Sequence, residues 1–128
     1  MWRRHPRARW RLPTLRPLDP VVMESLRERA DGSAAAFASL RDAAVRALRR
    51  DETALRRAVL DADTGAALHA ARTLKIDASA VGAHALTILA RRVEIRATAR
   101  GCAGVYALLG AIVAELTAVC AALKEAAL

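Results

Sequence analysis

The stretch from Ala67 to Gly82 constrains this chain more than any other. Ala67, Ala71, Leu74, Ala78 and Val81 recur three and four residues apart, which lines small or apolar side chains along one face of an α-helix. His69, Arg72, Ile76 and Ser79 fall on the opposite side, and Lys75 sits at the border of that exposed face. Taken alone, the pattern describes a scaffold helix with a closely packed inner face and a solvated, basic outer face.

The flanking segments repeat the theme. Leu18-Asp19-Pro20 opens a helix, with Asp19 as N-cap and Pro20 at the first helical position. Val22 and Leu26 give it a short stripe, and Asp31-Gly32 ends it. Ser33 caps a second helix running to about residue 62, with Phe37, Leu40, Ala44, Leu48, Leu55 and Val59 on one face. The stripe weakens at 49–53, Arg-Arg-Asp-Glu-Thr, which reads as a solvated patch on one long helix. Residues 61–65 form a turn rich in capping side chains, and Gly82 closes or bends the central helix. The next helix, about 83–99, turns Leu86, Leu89 or Ala90, and Val93 inward and exposes Arg91, Arg92, Arg96 and Arg100. His84 on its first turn reads as a surface or boundary residue.

After the break at 100–104, Val105, Leu109, Ile112, Leu116, Val119 and Leu123 repeat with alternating spacings of four and three, the seam of a bundle helix. Residues 101–123 hold a single charge, Glu115. A membrane span is nevertheless not expected, because the seam is regular and Glu115 lies near the middle of the stretch. Cys102 and Cys120, on this one helix, stand about 27 Å apart and cannot pair with each other. The sum is all-α: a short N-terminal capping helix and four longer helices whose short connections make neighbours antiparallel, a four-helix bundle.

Composition sets further bounds. At 128 residues the chain has the size of one domain. The formal charge of +8 is concentrated at the start: residues 1–17 carry six arginines and no acid, leaving about +2 for the remainder. A wholly basic nucleic-acid-binding domain is thereby disfavoured. Residues 1–17 are expected to be a disordered basic tail, and 18–128 the folded domain. The other reading of the tail is contact with nucleic acid or an anionic surface, with Trp2 and Trp10 adding stacking area. Cys and His show no metal-ligand spacing, so no metal or other cofactor is expected, and free cysteines suit a reducing cytoplasm.

Across residues 71–94 the sequence resembles the histidine phosphotransfer (HPt) signature. Leu74-Lys75, Gly82-Ala83, Leu86 and Glu94 stand at its positions. The resemblance extends over roughly 18–125 and implies the HPt bundle. It also implies a role in bacterial two-component signalling, where the family's histidine exchanges a phosphoryl group with a receiver aspartate. By the same resemblance, Arg72 stands where the family keeps that histidine, and Ile76 where it keeps a glycine. Guanidinium has no lone pair to offer a phosphorus. The expectation is therefore a degenerate HPt-like domain with no catalytic residue, not an enzyme and without a small-molecule substrate. It would bind a response-regulator receiver or a sensor histidine kinase through His69, Arg72, Lys75, Ile76 and Ser79. His69, one turn before Arg72 and about 60° around the helix, is the alternative phosphoacceptor. A helical dimerisation module unrelated to receivers is the remaining alternative.

Overall fold

The structure, a computed structural model, describes residues 16–128. The first fifteen residues, and with them most of the expected basic tail and its proposed contacts, lie outside the described residues. Among the described residues every regular element is helical.

Each helix start is written locally. Helix α1 (Pro20–Ala30) begins with Asp19 Oδ1 accepting the Val21 N–H at 2.8 Å. Helix α2 (Ala34–Leu60) begins with Ser33 Oγ accepting from Ala36 N at 3.0 Å. Helix α3 (Thr64–Ala80) begins with Asp63 Oδ1 accepting from Ala66 N at 2.9 Å. Each such cap contributes about 1 kcal/mol by satisfying an orphan donor of the first turn. Helix α4 (His84–Arg100) has no side-chain cap; it is started by the reversal that ends α3.

In that reversal the Ala83 N–H reaches Ala78 O and the Gly82 N–H reaches Ser79 O, a Schellman closure. Gly82 has φ +72°, and a Cβ there would stand 2.8 Å from Asp19 Cβ and 2.9 Å from Val22 Cβ. Its carbonyl accepts the Asp19 N–H at 2.9 Å. One glycine therefore both turns the chain and lets α1 lie across the α3–α4 end of the bundle. His84 Nε2 adds a 2.8 Å contact to Asp19 Oδ2, which, with the Val21 N–H, holds that carboxyl below its usual range. The surface reading of His84 stands, as a partner of the cap.

The last segment departs from the continuous helix expected. Gly101, at φ +68° and ψ −160°, occupies backbone space essentially restricted to glycine. A short helix α5 (Cys102–Val105) and a 3₁₀ turn (Tyr106–Leu108) then precede helix α6 (Leu109–Glu125). Helix α5 packs closely on the end of α4, since a Cβ on Gly104 would approach Arg96 O to 3.0 Å. The tightened turn re-aims the chain from there into the groove between α2 and α4, both of which α6 contacts. Cys102–Glu125 is long and apolar enough to cross a membrane by length and composition alone. Its seam of Ile112, Leu116, Val119 and Leu123 is nonetheless buried in the bundle. Both cysteines are free and buried.

Helices α2, α3, α4 and α6 close a ring, each packed against the next, around Leu48, Leu55, Leu74, Leu86, Val93 and Ile112, all fully buried. On α3 the inner face is the expected one, Ala67, Ala71, Leu74, Ala78 and Val81, joined by Ala70. One expectation fails on α2. The helix runs unbroken through 49–53, as read, but the stretch is not a solvated patch throughout: Asp51 is 3% exposed. It lies on the α2 face that meets α3, where it faces Asp77. Charge alone does not say which way a residue points; the helical phase does.

Candidate functional site

The outer face of α3 presents His69, Arg72, Ile76 and Ser79 to solvent, with Lys75 half-buried at its edge. Their exposure follows from phase: the alanine face is clamped against α2 and α4, so the opposite side must point outward. The structure does not gather all five into one constellation. It brings together Arg72 and Lys75, through a residue on the neighbouring helix.

That residue is Glu94 on α4. Its Oε2 accepts from Arg72 Nε at 3.0 Å and its Oε1 from Lys75 Nζ at 2.5 Å. The carboxylate side chain is 17% exposed, against 60% for Arg72 and 36% for Lys75. The bond from Lys75, and secondarily that from Arg72, hold the Glu94 carboxyl below its usual range despite the opposing effect of burial. Glu94 is thus ionised and fully engaged, and it fixes both cations over the α3–α4 groove. The motif in the sequence accounts for Glu94 without giving it a role. A lone acid opposite two cations on an antiparallel neighbour was the available signal.

Lys75, Thr87, Arg91, Glu94, Ile95 and Thr98 line an open groove of about 560 Å³ between the two helices. Thr87 and Thr98 donate their hydroxyls to backbone carbonyls one turn earlier on α4. Ile76, Ile88 and Ile95 are large apolar side chains left in water at 66%, 56% and 60% exposure. His69 lies exposed on the preceding turn and takes no part in the Glu94 cluster. Among the described residues no group of three or more His, Cys, Asp or Glu could hold a metal ion.

An antiparallel ring of four helices, capped by a short N-terminal helix and carrying a basic cluster on the outer face of its second long helix, is an HPt-like bundle. The crystal structure of histidine-containing phosphotransfer protein B (HptB) from Pseudomonas aeruginosa PAO1 is similar at a TM-score of 0.76 and 25% identity, over 85% of this chain and 92% of that one. That likeness supports an HPt-like family for this chain. No family model and no curated protein matches the sequence.

Proposed function

We propose that this chain is a non-catalytic HPt-like domain, residues 18–128, that docks a response-regulator receiver or a sensor histidine kinase in a bacterial, cytoplasmic two-component phosphorelay. The likeness to HptB supports the phosphorelay setting. The observation that carries the non-catalytic reading is Arg72. In the motif it stands at the histidine, and its guanidinium is exposed and held by Glu94. A permanently protonated group without an acceptor atom cannot attack phosphorus. It can pair with the carboxylates of a receiver. Exposed Ile76 beside it adds apolar contact and fills the space that the motif leaves to a glycine.

Binding is tested by titrating a panel of receivers and kinase domains against the wild type, Arg72→Ala and Lys75→Ala. Both variants weaken binding, most at low salt, because exposed charges are screened. Unchanged affinity in both removes the site. Phosphotransfer is tested with labelled phosphate from the same receivers. The wild type stays unlabelled, Arg72→His alone recovers little, and Arg72→His with Ile76→Gly recovers more, at a helix cost of about 1 kcal/mol for the glycine relative to alanine. Label on the wild type that disappears in His69→Ala overturns the non-catalytic reading and makes His69 the acceptor.

A further inference from the structure

Beneath α1 the bundle leaves a space that its own side chains do not fill. Met23 and Leu26 on α1, Phe37 and Leu40 on α2 and Leu123 on α6 wall a cavity of about 230 Å³. Ala44 on α2 and Ala80 at the end of α3 complete the wall and are too short to close it. Packed interiors leave few spaces larger than a water molecule. The charged side chains of the lining are both cations, Arg29 on α1 and Arg41 on α2. Arg29 and Ala43 are the exposed part of that lining beside Arg41, so the cavity opens there. Arg41 is half-buried and fixed, because its Nη1 donates to Ala126 O at 3.0 Å. Its Nε is buried and has no hydrogen-bond partner. Asp42 Oδ1 stands 3.6 Å away on a side chain 58% exposed, too far for a hydrogen bond. A buried donor without an acceptor is costly, and an acceptor arriving from the cavity would relieve it.

We propose that this cavity binds a small amphipathic anion, a free medium-chain carboxylate, with its chain against Met23, Phe37 and Leu123 and its head on Arg41. The head group follows from the guanidinium. With Nη1 committed to Ala126, the Nε–H and the adjacent Nη2–H form one planar edge, which matches the two oxygens of a carboxylate. Arg29 adds a second positive charge at the mouth. The chain length follows from the volume. An apolar cavity of about 150 Å³ accepts the six carbons of benzene, so 230 Å³ accepts about eight or nine. The chain's own first fifteen residues could offer Trp2 or Trp10 to an apolar site, but they would bring arginines against Arg29 and Arg41. Charge therefore selects an anion over that segment. Arg72 and Lys75 take no part in this site, so the proposal stands or falls independently of receiver docking.

The experiment titrates the full chain with sodium octanoate below its micelle range while the Met23 methyl and Arg41 Nε–H signals are followed by NMR. Octan-1-ol has the same chain without the charge, and acetate has the charge without the chain; both are run at equal ionic strength. Octanoate moves both signals saturably, acetate moves neither, and octanol binds about tenfold more weakly. Arg41→Gln loses about tenfold in octanoate affinity, and Arg29→Gln about twofold, since an exposed charge is screened. Ala44→Leu fills the cavity and abolishes binding, with circular dichroism and thermal unfolding confirming an intact bundle. Should Ala44→Leu fail to fold, Arg41→Gln decides the location alone. The absence of a saturable octanoate shift overturns the proposal, as does octanol binding as tightly as octanoate. Octanoate affinity that survives unchanged in Arg41→Gln overturns it too.

Discussion

Glu94 and Asp51 are both carboxyl groups at helix–helix contacts of one bundle, and their surroundings drive them in opposite directions. Glu94, between α3 and α4, has a cation on each oxygen and stays ionised below the usual range. Asp51, between α2 and α3, faces another carboxyl. Burial, the hydrogen bond with Asp77 and the repulsion of its charge push the Asp51 pKa up to about 7. Arg50 is the opposing cation, but it stands 4.0 Å from Oδ1 and is itself largely in water. As carboxylates, Asp51 Oδ2 and Asp77 Oδ2 would both be buried acceptors without a donor. A proton retained by one of them supplies it. The two regions teach that an acid at a helix seam is defined by its neighbour across the seam. Opposite charges make a fixed surface site, and like charges make a proton store on the inner side of the same helix α3.

The contrast is sharpest in the pH dependence of stability. The Asp51 pKa is raised in the fold, so the folded chain keeps a proton that the unfolded chain has released between about pH 4 and pH 7. Stability therefore falls as pH rises through that window and stays low above it. Between pH 5 and pH 8 the loss is about 2–3 kcal/mol, read by urea unfolding at each pH. A wild-type curve that is flat or rising there would break the comparison. The depressed Glu94 pKa has the other sign: its contribution is present above the ordinary carboxylate range and is lost as pH falls below it.

Substitution separates the regions further. Asp51→Asn keeps the shape and removes the buried charge, so it stabilises by about 1–2 kcal/mol at pH 8 and flattens the slope between pH 5 and 8. Asp77→Asn acts in the same direction, and the double variant gains less than the sum, since the two groups form one unit. Additive gains would mean that the carboxyls do not interact. Glu94→Gln changes stability by less than about 1 kcal/mol, because the Arg72 pair it breaks is exposed and the Lys75 pair only part-buried. It still weakens receiver binding by freeing the Arg72 fork. The smallest effect belongs to His69→Ala, within about 0.5 kcal/mol in thermal unfolding, because the ring is exposed and outside the Glu94 cluster.

Much of the fold was written in local chemistry. Asp19, Ser33 and Asp63 mark helix starts by capping, Gly82 marks a reversal, and the 67–81 alanine stripe names its own buried face. Those signals act over four or five residues, so sequence alone determined the order of the helices, their phase and the outward face of Arg72, Lys75 and Ile76. The 3₁₀ turn at Tyr106–Leu108 was not legible, because it answers the packing of α5 on α4 rather than any local propensity. Nor were the roles of Glu94 and Asp51. Both are acids in Arg-rich stretches with nearly the same local context, and nothing within a helical turn tells them apart. Only the tertiary structure set Glu94 opposite Arg72 and Lys75, 22 and 19 residues away, and Asp51 opposite Asp77. Coulomb energy depends on distance in space and on exclusion of water, and helix packing alone supplies both.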